Sequence, residues 1–400
     1  MGAAKYILAF SVLFLSSFAP LAQGSNLPAC ASIWRPGEWR LAPVESNAQQ
    51  SARLARPACA KEWTILVYMA PTDDLLPFAL SDLNEMRAPF SREGQAASSL
   101  KTDLIVQLET EAGPASRLHL FAGEPISSID DARAKPVGLA PSGKNPAAAL
   151  SDFLRWGAKA YPAKNYFVVV WGHGRGWKGY ELARGTLETL ELRSALQDFV
   201  AAAGKPADVL ASDSCFVQTT ENIYALNGAA RFIAGSSGTQ NFLGLPYRRI
   251  LYEINTGRFN GLFAKASPAD RADEAKLLAR MLPELTRQSL DPARGSQGGG
   301  SAATQALMTA STFDGARFGP EIAPAFKALG SALEAYLKED SLRGLDIQLL
   351  FPSEASAGSG GVDVGALLTA LKTYLAMHQD EASRVRGELA SALSNAEASS

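Results

Sequence analysis

Between residues 63 and 237, short apolar runs alternate with longer segments of helical periodicity. TILVYMA (64–70) is a compact run rich in β-formers, ended by Pro71, Asp73 and Asp74. That is the pattern of a strand buried on both faces. LLPFALSDLNEM (75–86) sets Leu76, Leu80, Leu83 and Met86 at helical spacing. DLIVQLE (103–109) predicts a second buried strand, and RLHLFAG (117–123) alternates as an exposed or edge strand does. PAAALSDFLRWGAKAY (146–161) predicts a helix with proline in its first turn. YFVVVW (166–171) is the strongest strand signal in the chain. LETLELRSALQDFVAAAG (187–204) predicts a helix closed by Gly204. DVLASDS (208–214) predicts a strand, VQTTENIYAL (217–226) a helix, and RFIAGSS (231–237) a further strand.

This alternation argues for an α/β fold, a parallel sheet with helices on both faces. Right-handed crossovers then place the loops that follow the strands along one edge. Ligands of such sheets sit beyond the carboxyl ends of the strands, so chemistry is sought just after residues 171 and 212. Farther along, helices are expected at 268–290, 322–337 and 365–378, and strands at QALMTAST (305–312) and LDIQLLFP (345–352). RGSQGGGS (294–301) reads as a flexible linker. The expected organisation is a core at 62–262, a helical and mixed part at 263–378 completing the same domain, and a flexible tail at 379–400.

Residues 25–61 carry four prolines and little periodicity, and read as an irregular extension. Before them, Lys5 and the apolar run Tyr6–Ala19 form the pattern of a secretory signal, with Ala22-Gln23-Gly24 placing cleavage near Gly24. The run is short for a membrane span. Export to periplasm, cell surface or medium follows, with no stable span in the mature chain. Lipid attachment at Cys30, in Leu27-Pro28-Ala29-Cys30, is the lesser alternative. The chain has 47% AVILMFWYC, enough for a sizeable core, and 38 Lys plus Arg against 40 Asp plus Glu, a net charge of −2. No broad basic surface is implied, which argues against a nucleic-acid partner. Neither a CxxC pair nor HExxH occurs, which argues against structural zinc.

Three cysteines cannot all pair within one chain. Cys30 and Cys59 could close a loop, leaving Cys215, which a buried inert thiol would also explain. Two reactive groups follow strong strands: Trp171-Gly172-His173-Gly174 and Ser212-Asp213-Ser214-Cys215. An imidazole and a thiol brought together at one sheet edge form a nucleophile with its base. A helix starting near Val217 would put its positive end beside Cys215. The glycines flanking His173 let substrate backbone approach and leave an N–H free for a developing oxyanion. Ser214 is a rival nucleophile, but its surroundings are not GxSxG. His119 and His378 read as structural, and Trp177 as packing its loop.

At these residues the chain resembles the clostripain family of cysteine peptidases, of the caspase-like clan. YFVVVWGHG and DVLASDSC match the family's two catalytic blocks, with 42 positions from His173 to Cys215. WTILVYMAPTDDL, ALSDLNEM, GHGRGW, RFIAGSSGTQNFLGLPY and LDIQLLFP match other family segments over roughly 62–375. The resemblance implies a caspase-like, mostly parallel sheet and an endopeptidase acting on peptides or proteins, after Arg or Lys. It implies His173 as base, Cys215 as nucleophile, the N–H groups of Gly174 and Cys215 as oxyanion donors, and Asp213 in the S1 pocket. Calcium, and self-cleavage in the loop holding Arg175, Lys178 and Arg184, are further family traits. Asp73 and Asp74 alone make no calcium cage. Ser236-Ser237 stand where the family has acids, and Leu245 where a Trp is common, which weakens the basic-P1 expectation. The alternative is a non-catalytic exported binding protein on a degenerate peptidase fold.

Overall fold

A computed structural model describes residues 59–88, 98–99, 101–120, 125–129, 138–139, 145–240, 242–257, 267, 272–289, 310–340, 343–350, 356–357, 361–362, 364–378 and 384–399. The expected signal segment, the extension up to residue 58 and Cys30 lie outside them. Cys59 is disulfide-bonded and Cys215 is a free thiol.

The chain begins with β1 (Lys61–Met69), whose residues from Trp63 onward are all buried. Successive side chains on a strand face opposite ways. Trp63, Ile65, Val67 and Met69 therefore enter one core, while Leu66 and Tyr68 enter the other. Both faces are covered, so the strand reads as an unbroken apolar run rather than an alternating one. A single 3₁₀ turn, Asp73–Leu75, leads into α1 (Leu76–Arg87), with proline at its start. Then come β2 (Thr102–Leu108), β3 (Ser116–His119), β4 (Gly138–Leu139) and α2 (Pro146–Ala160). Asn145 caps α2 by accepting from the Ala148 N–H at 2.9 Å.

β5 (Ala163–Trp171) is followed by a small three-stranded sheet of β6 (His173–Gly174), β7 (Tyr180–Leu182) and β8 (Gly185–Leu187). α3 (Thr189–Ala203) opens on a capping box formed by Glu188 and Glu191 and closes at Gly204, which is left-handed. β9 (Ala207–Asp213), α4 (Thr220–Leu226), β10 (Ala230–Gly235), α5 (Tyr247–Thr256) and α6 (Glu274–Ser289) complete this part. The main sheet has eight strands in the order β11-β10-β9-β5-β1-β2-β3-β4, where β11 is Ser311–Asp314. Its five central members, β10 to β2 in that order, run parallel, and antiparallel strands finish both edges. Helices α1, α5 and α6 pack on one face, and α2, α3 and α4 on the other.

A π-helical turn, Phe318–Ile322, runs into α7 (Ala323–Glu339), and its Phe318 is buried in the core that α2 to α4 share. α7, α8 (Arg343–Leu349), α9 (Val364–Met377) and α10 (Arg384–Ser399) enclose a separate apolar cluster around Leu329, Tyr336 and Leu371. Three expectations change here. LDIQLLFP is not a strand: its first five residues belong to α8, where Ile347 is buried in this cluster. A short apolar run ended by proline suits either state, and only its packing partners decide. The end of the chain, expected as a flexible tail, holds α10, which buries Leu389, Leu393 and Ala396. The helix expected from Val217 starts instead at Thr220, capped by Thr219, so its N-terminus lies five residues past Cys215 rather than beside it. Of the strand expected at 305–312, residues 311 and 312 fall in β11, and 305–309 lie outside the described residues.

Candidate active site

β5 and β9 are hydrogen-bonded neighbours whose last rung pairs Trp171 with Asp213. His173 and Cys215 each stand two residues beyond that rung. Adjacent strands are about 4.8 Å apart, so both segments leave the sheet side by side at its carboxyl edge. The Gly172 N–H extends the ladder by reaching the Asp213 carbonyl at 3.4 Å. Gly174 then passes so close to the Cys215 backbone that a Cβ built there would lie 1.7 Å from the Cys215 carbonyl oxygen. Only glycine permits this contact. Beyond Cys215, Phe216 adopts φ 60°, a strained conformation for a bulky residue, held by its N–H donating to Gly238 at 2.9 Å.

The next strand in the sheet, β1, contributes a third residue. Asp74, in the turn after β1, has its Oδ2 3.0 Å from Nε2 of His173. Thr72 Oγ1 donates to its other oxygen at 2.6 Å and is the main influence lowering the Asp74 pKa, with His173 adding to it. An ionised carboxylate only accepts hydrogen bonds, so a neutral His173 carries its proton on Nε2. Nδ1 is then the nitrogen left to take a proton from a thiol. Sequence reasoning saw Asp74 only as a turn acid, because nothing in the spacing links residues 74 and 173.

Asp213 is buried, and its carboxylate is fully engaged. Oδ2 accepts from the Leu245 N–H at 3.0 Å and the Tyr247 hydroxyl at 2.7 Å, and Oδ1 from Nε2 of Gln240 at 2.5 Å. Gly244, at φ +60°, lets the chain pass, since a Cβ there would come within 2.7 Å of Oδ2. Burial pushes the Asp213 pKa up to about 6, against the lowering effect of the Leu245 and Tyr247 hydrogen bonds. Two further acids lie nearby. Asp82 accepts from the Trp171 indole N–H at 2.8 Å, and burial and the Asp213 charge hold its pKa well above the usual range. Burial also raises Glu85 to about 7. The carboxylate expected in the S1 pocket thus belongs to a buried acidic group and reaches the thiol's surroundings through Gln240.

Gln240 was not expected as a site residue. Its backbone N–H lies 3.2 Å from Cys215 Sγ, and its side-chain Oε1 accepts from the Ser214 N–H at 3.2 Å. Its single sequence clue was its place in the segment before Pro246-Tyr247, where acids were missing. The Ser214 hydroxyl is buried without a hydrogen-bond partner among the described residues. Trp177 does not pack its loop as expected, being 58% exposed. Arg175 and Lys178 are exposed, whereas Arg184 is held by the Gly113 carbonyl and by Glu109. His119 pairs with Asp103, and His378 bonds the Tyr374 carbonyl. Among the described residues, no three His, Cys, Asp or Glu side chains converge as metal ligands. Asp74 accepts from Thr72 and pairs with His173, and the two adjacent carboxylates of the Asp73-Asp74 turn do not by themselves make a calcium cage. No helix among the described residues is long and apolar enough to cross a membrane.

A family model described as the clostripain family matches residues 67–262. Among solved structures, similarity is found to a secreted C11 cysteine protease from Bacteroides thetaiotaomicron in complex with an irreversible peptide inhibitor. It is 22% identical, over 67% of this chain and 70% of that one, with a TM-score of 0.46. An inactive zymogen C11 protease from Parabacteroides distasonis is 20% identical, over 68% of this chain and 66% of that one, with a TM-score of 0.47. No curated protein matches.

Proposed function

Residues 67–262 belong to the clostripain family of cysteine peptidases, and from that premise we propose that this chain is an exported endopeptidase using His173 and Cys215. One observation carries the reading. The Trp171–Asp213 rung delivers both side chains to the same sheet edge, with Gly174 against the Cys215 carbonyl. Nδ1 of His173 takes the thiol proton, and the thiolate attacks the scissile carbonyl carbon. The N–H groups of Gly174 and Cys215 receive the oxyanion. His173 returns the proton to the departing amine, then activates the water that clears the thioester. Export rests on the charged start and apolar run of residues 5–19.

Cleavage follows Arg or Lys in this reading. Its support is the Asp213 carboxylate two residues before the nucleophile, an acceptor suited to a guanidinium or ammonium group. The test uses fluorogenic peptides with Arg, Lys or a neutral residue at P1. Wild-type protein should cleave the basic reporters, and Cys215→Ala and His173→Ala should abolish turnover. Retained turnover in Cys215→Ala would remove the thiol from the mechanism. Equal turnover of neutral reporters would remove the basic preference while leaving the dyad.

A further inference from the structure

The segment after β10 lies across the nucleophile and is tied to it. Ser236 accepts from the Gln218 N–H and Gly238 from the Phe216 N–H, both at 2.9 Å. These bonds fasten the start of the segment to the loop carrying Cys215. Farther on, Phe242 stacks on Phe78 of α1, with ring centroids 4.7 Å apart. Between the two anchors sits Gln240. Its N–H is on the sulfur, and its carboxamide bridges the Ser214 N–H and the Asp213 carboxylate.

This is where a substrate residue has to go. Attack requires the scissile carbonyl carbon roughly 3–3.5 Å from Sγ, and backbone of Gln240 already stands at 3.2 Å. A P1 side chain seeking Asp213 meets the Gln240 carboxamide first. A small cavity beside it, lined by Gln240, Ser212, Ala234, Ser236, Leu245 and Pro283, measures about 20 Å³, room for a water molecule and not for a side chain. Gln240 can leave without unfolding the segment, because the Ser236 and Gly238 bonds do not involve it.

We propose that Gln240 is an internal occupant of the P1 position, which a substrate must displace and whose contact with Asp213 a basic P1 side chain takes over. This rests on the peptidase reading above and names the residue that sets its selectivity. A guanidinium offers Asp213 a charged donor in place of a neutral amide and so recovers what the displacement loses. A short neutral P1 side chain leaves Gln240 where it is and gains nothing from Asp213.

The experiment compares wild type with Gln240→Ala and Gln240→Asn, whose shorter side chains cannot bridge both groups. Steady-state kinetics on Arg-P1 and Ala-P1 reporters are read together with Cys215 alkylation by iodoacetamide, followed by mass. KM for the Arg-P1 reporter should fall about five- to tenfold, the scale of one or two hydrogen bonds no longer broken on binding, with kcat little changed and the Ala-P1 reporter affected less. Alkylation should quicken in both variants. Unchanged or raised KM for Arg-P1 in folded variants that still turn over would overturn the proposal and leave the peptidase reading intact. Faster alkylation without reporter turnover in any of the proteins would instead overturn the peptidase reading, with Gln240 still standing as the cover over the sulfur. Unchanged alkylation in both variants would overturn the cover itself.

Discussion

Gly174→Ala is the sharpest perturbation of the contact on which the site depends. The added methyl would fall 1.7 Å from the Cys215 carbonyl oxygen, 2.8 Å from the carbonyl carbon and 2.9 Å from Val217. Real Cβ contacts essentially never fall below 3.0 Å, so the two backbones must part by at least about 1.3 Å, comparable to the misplacement of about 1 Å that can cost 10²-fold in rate. No flexible side chain can absorb the clash, since the nearest two atoms are backbone. One of those backbones carries the Cys215 thiol, and the other follows directly on His173. The sheet beneath is untouched, because Trp171 and Asp213 still pair. The variant should therefore fold, with a melting temperature within a few degrees of wild type, while kcat/KM on an Arg-P1 reporter drops about a hundredfold or more. Circular dichroism melting and steady-state kinetics on the same preparation separate the two effects. A folded Gly174→Ala protein with near wild-type kcat/KM would show that the approach of β6 to Cys215 is not what assembles the site.

The other predictions concern supporting groups. Asp74→Ala should lower kcat about three- to tenfold with KM nearly unchanged, the modest size reflecting a charge-assisted bond at an exposed position. A change confined to KM would deny Asp74 its role in orienting His173. Asp213 and Glu85 have folded-state pKa values raised to about 6 and about 7, chiefly by burial. For a carboxyl group raised on folding, the stabilising contribution is complete below its unfolded pKa and is lost as pH rises through the folded value. Thermal stability should thus decline between about pH 4 and pH 7 on their account, and Asp213→Asn should flatten the decline when melts are recorded across that range. Gly244→Ala faces both a left-handed φ and Oδ2 of Asp213 at 2.7 Å. It should cost upwards of about 1–2 kcal/mol in denaturant unfolding, the price of the left-handed backbone alone.

The parallel core was legible because strands buried on both faces write themselves as unbroken apolar runs, as in TILVYM and YFVVVW. The placement of the His173 and Cys215 segments at one sheet edge was legible for the same reason. Each follows such a run directly, and parallel neighbours end on one edge. What stayed hidden depends on packing partners rather than on local pattern. LDIQLL carries no period that distinguishes strand from helix, and burial of Ile347 among the C-terminal helices decides it. The closing segment looked unstructured by composition, yet Leu389 and Leu393 find a core there.

The unseen half of the site has a common origin. Asp74, Gln240 and Tyr247 reach His173 and Asp213 from loops or loop ends after β1 and β10, the strands flanking β5 and β9 in the sheet. Strand order decides which loops adjoin, and strand order is not written in any local motif. Once β1 is known to lie beside β5 and β10 beside β9, both neighbours acquire reasons to carry polar side chains at their carboxyl ends. The acid after β1 faces the imidazole, and the carboxamide after β10 faces the thiol. The same logic explains why the missing acids at Ser236-Ser237 do not leave the region uncharged. Asp213 remains beneath it, with Gln240 in the place through which a substrate would have to reach that charge.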